Sequence, residues 1–321
     1  MMVDRPKVSV VMAVYNEQDF VGRAIESVLK QTFSDFEFII VDDNSSDNTK
    51  EIVDRYKKSD NRIQLFANDS NMGLPASLNR GIKQAQGKYI ARMDGDDISL
   101  PKRFEKQVDY LDSNPHVKVV GCHVELISID CEPLELRRYN SGDRTAKEMK
   151  KNGPGIAHPS VMMRQSAVAD VGFYRPSFTY AQDLDLWVRM AERFGTGFID
   201  IIPEVLFQYR VTPEQFSRHS VNEIYASYAG EYLHNESELQ SQLNDKTRVE
   251  DVSTENLDSR YWYTIGRYVL KQNRRKTATK YFLRSLRISP ASIRGWYGLF
   301  LILLPSKFHR KLSNTLSSII N

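Results

Sequence analysis

The sequence predicts an α/β protein built on a doubly wound, mainly parallel β-sheet, with an all-helical extension at its C-terminal end. Short, almost wholly apolar runs rich in β-branched residues alternate with longer segments whose apolar residues recur at helical spacing, which is typical of such sheets. Polar clusters follow several of the apolar runs, where strands buried on both faces would open into loops. Beyond residue 220 the strand-like runs stop and only helical patterns remain.

Length and composition set the limits of this prediction. The 321 residues allow about two domains, and we place them at 1–220 and 221–321. The hydrophobic content of 41% and the charged content of 26% are those of a soluble globular protein. No secretory signal precedes the first strand-like run, and two cysteines are too few for a disulfide framework or a zinc site. We therefore expect a cytoplasmic protein.

The N-terminal part of the chain alternates four strands with three helices. The strands are predicted at 8–14, 36–41, 62–66 and 88–93, which are short and rich in Val, Ile and Phe. Apolar residues three or four positions apart indicate the helices between them: Phe20, Ala24 and Val28 in the first, Ile52, Val53 and Tyr56 in the second, and Leu78, Ile82 and Ala85 in the third.

The rest of the chain continues the alternation less regularly. We predict a helix around 104–111, a strand at 117–127, a polar loop with a short helix over 130–157, and a strand at 158–164. A helix opens near Tyr180, and strands at 199–205 and 207–210 complete the sheet. The C-terminal part is predicted to hold a polar helix or linker over 221–259, amphipathic helices at 261–270 and 277–288, and an apolar stretch at 296–304.

Three carboxylates, Asp94, Asp96 and Asp97, lie within four positions after the strand at 88–93. Carboxylates this close repel one another unless a positive charge compensates them, and a divalent cation such as Mg²⁺ or Mn²⁺ suits that role. A solvated acidic turn is the alternative for so short a motif. The position favours a site, because ligands of parallel sheets bind at the carboxyl ends of strands, where the polar clusters 15–19 and 42–49 also fall.

Six motifs follow one another between residues 7 and 217. They are Val14-Tyr-Asn-Glu17, Val41-Asp-Asp-Asn-Ser-Ser-Asp47, Asn71-x-Gly-Leu74 with Asn79-Arg-Gly81, Met93-Asp-Gly-Asp-Asp97, His158-Pro159 and Gln182-Asp-Leu-Asp-Leu-Trp-Val-Arg189. Each is weak alone, but the ordered set specifically resembles glycosyltransferase family 2, whose members have the Rossmann-like GT-A fold. The resemblance is to inverting enzymes of bacterial surface-polysaccharide assembly. The later helices resemble a tetratricopeptide-type pair, of which too little is present to identify the repeat.

The resemblance implies that the enzyme moves a sugar from a nucleotide-sugar, a UDP-sugar in most of the family, to a glycan or lipid-linked acceptor, with inversion at the anomeric carbon. Asp96 matches the last position of the family's Asp-x-Asp motif and would hold Mn²⁺ or Mg²⁺. Asp94 would assist as a metal ligand or reach the ribose, and the part of Asp97 is left open. A metal held there neutralises the charge of the leaving nucleoside diphosphate as a Lewis acid.

The resemblance also implies a nucleotide-sugar pocket at two strand ends. Asp42 or Asp43 matches the carboxylate that meets the uracil or ribose, and Asn71 in the third motif is expected on the same side. The loop after the first strand would line the base and ribose pocket through Val14, Tyr15 and Glu17. A helix-capping turn is the other interpretation of 42–49, and both can hold together.

Inverting transfer needs a general base that takes the proton of the acceptor hydroxyl. Asp183 matches the family's base, the Asp of a Glu-Asp pair before a helix, and Asp185 is the alternative base. This chain has Gln182 where Glu is usual, which removes a charge beside the base. The other interpretation of Asp183 is a helix N-cap. His158, Arg210 and Gln182 are expected on the acceptor or diphosphate side.

Charge is distributed unevenly along the chain. Residues 267–321 hold 12 Lys and Arg and no Asp or Glu, whereas the preceding residues hold 32 basic and 41 acidic groups. The apolar stretch 296–304 is shorter than the roughly 20 residues of a membrane span, and with this charge it fits peripheral contact with the inner face of the cell membrane. The alternative is a helix that closes over the preceding pair. No recognised binding motif accompanies the charge, so we expect no nucleic acid partner.

Two functions of other classes remain as alternatives. A sugar nucleotidyltransferase also combines an α/β sheet with acidic metal ligands, but the polar loop 15–19 stands where its Gly-rich, Lys- or Arg-bearing phosphate loop is expected. A non-catalytic scaffold on the same fold is the second alternative. The acidic motifs argue against a scaffold, whereas Gln182 leaves it open.

Overall fold

A computed structural model describes residues 5–140, 144–213 and 257–304 of the protein. The described residues fall into two compact units. The first contains 5–125, 136–140 and 144–209, and the second contains 126–135, 210–213 and 257–304. The sequence patterns did not predict that residues 126–135 belong to the second unit. The expected domain boundary at residue 220 and most of the polar segment 221–259 lie outside the described residues, so both stay predictions.

Four parallel strands form one half of the sheet. They are β1 (Val8–Val14), β2 (Phe36–Asp42), β3 (Ile63–Ala67) and β4 (Tyr89–Asp94), each within one or two residues of its prediction. β1 lies between β2 and β4, and β3 pairs with the other edge of β2. Every residue of β1 and β2 is buried, which explains why both runs are almost wholly apolar.

Three helices connect these strands: α1 (Val21–Leu29), α2 (Thr49–Ser59) and α3 (Leu74–Gln84). Their apolar faces point to the core, as the spacing predicted; α1, for example, buries Ala24 and Val28. On α3, Gly81 lies so close to β1 that a Cβ atom would stand 2.7 Å from Cγ1 of Val11. A side chain at this position would therefore push α3 off the sheet, which gives the glycine of the Asn79-Arg-Gly81 motif a packing role.

Antiparallel pairing completes the sheet. The remaining strands are β5 (Ile98–Ser99), β6 (Val119–Ile127), β7 (Pro133–Arg137), β8 (Met162–Arg164) and β9 (Ile199–Arg210). β8 runs antiparallel to β4 and β6, and β5 runs antiparallel to β9. Within the described residues, nine strands form one sheet in the order β3-β2-β1-β4-β8-β6-β9-β5, with β7 paired to β6. The predicted α/β architecture is confirmed.

Several stretches differ from the predicted elements, among them β9, which is a single strand over positions predicted as two strands. The polar stretch 130–157 contains β7 in addition to the short helix α5 (Ala146–Asn152), which begins with a capping box between Thr145 and Glu148. The expected strand 158–164 is a 3-10 turn at His158–Ser160 followed by β8, and Pro159 supplies no N–H for strand pairing within that turn. The other helices of the first unit are α4 (Arg103–Ser113), α6 (Gln165–Asp170) and α7 (Gln182–Phe194).

Helices α8 (Leu257–Lys271), α9 (Arg275–Ile288) and α10 (Ile293–Leu303) form most of the described second unit. α10 packs on α9 through glycines: a Cβ atom at Gly298 would overlap the ring of Phe282, and one at Gly295 would stand 2.6 Å from a methyl carbon of Leu286. The helix that closes over the preceding pair is therefore present. No helix in the described ranges is long and apolar enough to cross a membrane.

Candidate active site

The ends of β1, β2 and β4 bring the three predicted polar clusters together. Val14 on β1 is in register with Asp42 on β2, and Ala13 on β1 is in register with Asp94 on β4. Gly95 lies against the end of β1, because a Cβ atom there would stand 2.8 Å from Cγ1 of Val14. The carboxylates that follow β4 thus lie beside the polar loops that follow β1 and β2, as the parallel order of the strands requires.

Hydrogen bonds join the loop after β1 to the loop after β2. The backbone N–H of Asn16 donates to Oγ of Ser45 at 3.0 Å, and its Oδ1 accepts from the N–H of Ser46 at 2.8 Å. The N–H of Glu17 donates to Oγ1 of Thr49 at 2.7 Å. Tyr15, the residue before Asn16, is 47% exposed. The two loops therefore form one wall whose backbone is held by short polar side chains.

The two aspartates at the end of β2 have different surroundings. Asp43 accepts from the backbone N–H groups of Met72 and Gly73, both at 2.8 Å, so its carboxylate shapes the turn that carries the exposed Asn71. Asp42 is 1% exposed, and its Oδ1 has no hydrogen-bond partner among the described residues. Of the two, Asp42 keeps a buried oxygen available to a ligand.

The acidic cluster has the donor set of a hard-metal site. One carboxylate oxygen from each of Asp94, Asp96 and Asp97 lies within 4.8 Å of the others. Asp97 is buried, whereas Asp94 and Asp96 are partly exposed. Carboxylate oxygens in this number suit Mg²⁺ or Mn²⁺, which are commonly bound through one or two carboxylates together with substrate phosphates. The residues present therefore fit the predicted metal.

A buried arginine that the sequence reading missed lies beside this cluster. Arg92 is 3% exposed and pairs with Oδ2 of Asp94 at 2.5 Å. A second one, Arg103, is fully buried and donates to the backbone oxygen of Arg92 at 2.7 Å and to that of Val161 at 3.0 Å. Burial lowers the pKa of Arg103 to about 10. The signal was present in the sequence, because Arg92 interrupts an otherwise apolar strand and a buried charge needs a partner.

Asp183 lies in the first turn of α7, next to Gln182 at the start of that helix. Both side chains are partly exposed, and the residue before them, Ala181, has a left-handed φ of 51°. Burial raises the pKa of Asp183, while a backbone hydrogen bond from Leu184 and the charge of Arg92 oppose that rise. Asp183 is thus a partly exposed carboxyl group whose pKa lies above that of an ordinary Asp.

Asp185, the alternative base, has a structural place instead. It is fully buried and pairs with both Arg175 and Arg189; the Nε atoms of these arginines each lie 3.0 Å from its Oδ2. Arg189 also donates to the backbone oxygen of Phe173 at 2.7 Å. Because two buried cations hold this carboxylate, we drop Asp185 as a candidate base.

His158 is buried and contacts two aromatic side chains. Its Nε2 lies 2.6 Å from the hydroxyl of Tyr174, and its ring meets Trp187 edge-on at 6.0 Å between centroids. Burial, together with the charge of Arg92, lowers the pKa of His158 well below its usual value. Asn79 holds the backbone of Tyr174 in place. Its side chain accepts a hydrogen bond from the backbone N–H of Tyr174 at 3.0 Å and donates one to the backbone oxygen of Tyr174 at 2.7 Å.

Arg210 does not have the surroundings expected of a diphosphate ligand. Its side chain is fully buried, and Nη1 donates to the backbone oxygens of Ser128 at 2.8 Å and Ile129 at 3.1 Å. We therefore remove Arg210 from the candidate site. Successive residues of a strand point to opposite faces, so its neighbour Tyr209 points the other way. Burial, together with the charges of the acidic cluster, raises the pKa of Tyr209 well above its usual value, which marks it as a site neighbour that the sequence patterns did not predict.

Comparisons with known proteins agree with this geometry. The model of the family Glycosyl transferase family 2 matches residues 9–172. An uncharacterized glycosyltransferase, MJ1057 of Methanocaldococcus jannaschii, is 36% identical over 234 residues, which cover 70% of this chain and 79% of the relative. The putative glycosyltransferase EpsE of Bacillus subtilis is 37% identical over 218 residues, covering 67% of this chain and 77% of the relative.

The fold has a counterpart among solved structures. The crystal structure of S. aureus TarS 1-349 in complex with UDP superposes with a TM-score of 0.53 and covers 88% of each chain at 16% identity. This likeness is one of fold, in agreement with the predicted GT-A architecture. The family match, covering half of the chain, identifies the activity class: the chain belongs to glycosyltransferase family 2 and is a glycosyltransferase.

Proposed function

We propose that this enzyme transfers a sugar, with inversion, from a UDP-sugar to a glycan or lipid-linked acceptor during surface-polysaccharide assembly. The observation that carries the proposal is the cluster of three carboxylates at the shared end of β1, β2 and β4. Relatives support the pathway by their names: WbnJ of Escherichia coli, 32% identical over 207 residues, is an O-antigen biosynthesis glycosyltransferase. Support for the donor comes from TarS, which was crystallised with UDP and with UDP-GlcNAc.

On the donor side, Asp96 and Asp94 are the proposed ligands of Mn²⁺ or Mg²⁺. Such a metal supplies Lewis-acid neutralisation of the charge that develops on the departing nucleoside diphosphate. Asp94 is held in an ion pair with Arg92, and both Asp94 and Asp96 are partly exposed. The proposed division gives Asp96 to the metal and shares Asp94 between the metal and the ribose.

The proposed nucleotide pocket uses the wall formed by the loops after β1 and β2. The free buried oxygen of Asp42 can accept from the N–H of a uracil ring, and the exposed ring of Tyr15 can stack on it. Asp43 acts on the pocket through the turn that carries Asn71, since its own oxygens hold that turn. The remaining proposed lining residues are Val14 and Glu17.

On the acceptor side, Asp183 is the proposed general base. A carboxyl whose pKa is raised takes a proton more readily than an ordinary Asp, which suits a base for a sugar hydroxyl. Gln182, beside it, can bind the acceptor by hydrogen bonds without adding charge. His158 is proposed to shape this side as a neutral ring, because its lowered pKa leaves it unprotonated near pH 7 and Tyr174 occupies its Nε2.

A thermal-shift panel of UDP-, GDP- and dTDP-sugars, each with and without Mn²⁺, tests the donor and the metal together. A ligand present at 100 times its Kd stabilises the folded state by about 2.7 kcal/mol, which for a chain of 321 residues raises Tm by roughly 4 °C. We expect that shift with UDP-sugars plus Mn²⁺, and we expect Asp96→Asn to lose it while its own Tm without ligand is kept.

Other outcomes of the panel would contradict a specific part of the proposal. A shift with GDP- or dTDP-sugars alone overturns the choice of uridine, and an equal shift without Mn²⁺ overturns the metal. Release of pyrophosphate from a nucleoside triphosphate and a sugar phosphate establishes the nucleotidyltransferase instead. No shift with any nucleotide-sugar, together with no transfer, leaves the scaffold as the function.

We also propose peripheral contact of the second unit with the inner face of the cell membrane. Opposite its glycine face, α10 exposes large apolar side chains at spacings of three and four residues, which places them on one helical face: Ile293, Trp296, Phe300 and Leu303. Exposed basic residues, Lys276 and Arg287, lie on α9, and no acidic residue occurs in α9 or α10. An exposed apolar helical face, on a pair of helices that carries basic residues and no acidic ones, suits an anionic membrane surface.

Flotation with vesicles tests this contact. We expect the protein to float with vesicles that contain phosphatidylglycerol and to stay unbound with pure phosphatidylcholine. The double variant Trp296→Glu and Phe300→Glu should lose flotation, whereas Leu283→Glu, an equally exposed position on α9, should keep it. Unchanged flotation of the double variant contradicts the assigned face. A dimer that this variant abolishes would assign the face to a second copy of the chain.

A further inference from the structure

Arg92 occupies a position where sheet proteins rarely place a charge. It lies on β4, in register with Val11 of β1, and its own N–H donates to the backbone oxygen of Val161 at 3.0 Å. Its neighbours Ile90, Ala91 and Met93 are fully buried. Burying an unpaired guanidinium in such surroundings strongly destabilises the folded state, so the arginine is tolerated only with compensating partners.

The compensating partners of Arg92 are groups of the candidate site. Residues two apart on a strand point to the same face, so Arg92 and Asp94 lie side by side, and the ion pair between them measures 2.5 Å. Arg92 also interacts electrostatically with four further groups of the candidate site: Asp97, Tyr174, His158 and Asp183. One buried cation therefore stands among the proposed metal ligands and the proposed base.

We propose that Arg92 is a positioning residue, the internal counter-ion that holds Asp94 and keeps the three carboxylates together before metal and donor bind. Three carboxylates within 4.8 Å repel strongly, and without a nearby cation they would separate or protonate. A fixed guanidinium limits the movement of Asp94, so the cluster presents its oxygens in a prearranged form. This inference rests on the proposed metal-dependent transfer and adds a residue to it.

Three variants separate this role from a general contribution to the core. Arg92→Met removes the charge and keeps much of the volume, Arg92→Lys keeps the charge, and Arg92→Met with Asp94→Asn removes both partners. Arg189→Met is the matched control, because Arg189 is also a buried arginine paired with an aspartate, at Asp185. All are made in the full chain and melted with and without Mn²⁺ and UDP.

The counter-ion role predicts a specific pattern of melting temperatures. Arg92→Met should lower Tm without metal by about 5 °C or more, and Mn²⁺ with UDP should recover more Tm in this variant than in the wild type, since the metal replaces the missing charge. Arg189→Met should lose Tm without such recovery. Adding Asp94→Asn should restore part of the metal-free Tm of Arg92→Met, because the unpaired carboxylate is then gone.

Kinetics supply the second readout. Arg92→Lys should keep a large part of kcat/KM, whereas Arg92→Met should lower kcat/KM even at saturating Mn²⁺, because Asp94 is no longer held in place. Equal metal recovery in Arg92→Met and Arg189→Met, or no restoration by Asp94→Asn, overturns the counter-ion role. If the Tm of the wild type does not shift with Mn²⁺, the metal proposal fails. The comparison of Arg92→Met with the double variant Arg92→Met, Asp94→Asn is made without metal, so it still tests whether Arg92 is the counter-ion of Asp94.

Discussion

Two aspartates at the start of α7 give opposite predictions, although only one residue separates them. Asp183→Asn keeps the shape of the side chain and an acceptor oxygen but cannot take a proton. Asp185→Asn leaves two buried cations, Arg175 and Arg189, without their shared carboxylate. We expect the first variant to fold normally and lose catalysis, and the second to lose stability.

The structure sets the size of both effects. Loss of a general base slows the reaction roughly 10²–10⁴-fold. Burial already disfavours the charge of Asp183, so its removal should leave Tm unchanged or slightly raised. Removal of one partner from a buried ion pair costs about 3–5 kcal/mol, which lowers Tm by roughly 4–7 °C in a chain of 321 residues.

The assay measures transfer through UDP release and follows melting by circular dichroism on the same preparations. The pH profile adds a third observable. Because the pKa of Asp183 is raised above 3.8, activity should fail on acidification at a higher pH than an exposed Asp would cause. A wild-type rate in Asp183→Asn refutes the assigned base. A wild-type Tm in Asp185→Asn refutes the structural account of that residue.

Three further predictions concern the frame of the site. Gly95→Ala should reduce transfer and cost about 1–3 kcal/mol by pressing on the end of β1, whereas Gly22→Ala, whose added carbon would meet only ordinary contacts, should do neither; equal effects refute the close approach. The folded state holds His158 neutral while the unfolded state protonates near pH 6.5, so stability should fall as pH drops below that value. His158→Asn should flatten this dependence between pH 5 and 8 in urea melts, and an unchanged slope contradicts it. Asn79→Ala should cost about 1–3 kcal/mol, because the backbone of Tyr174 loses two hydrogen bonds; a neutral urea midpoint counts against that anchor.

Several features of the site followed from local pattern. Buried parallel strands must be apolar on both faces, so β1, β2 and β4 stood out, and their carboxyl ends carried Asp42 and Asp94 to one edge. The order of the motifs then identified the family. The last strand was harder, because β9 continues through positions that the sequence reading divided between two strands.

The amino-acid sequence by itself determined the parallel core, the family and which carboxylates lie at strand ends, because these depend on residue type, period and order along the chain. Only the tertiary structure decided what each side chain meets. It assigned Asp43 to a turn, Asp185 to two arginines and Arg210 to the backbone of 128–129, and it revealed Arg92 beside Asp94. Hydrogen bonds and ion pairs act over a few ångströms between residues far apart in the chain, so no local pattern specifies them.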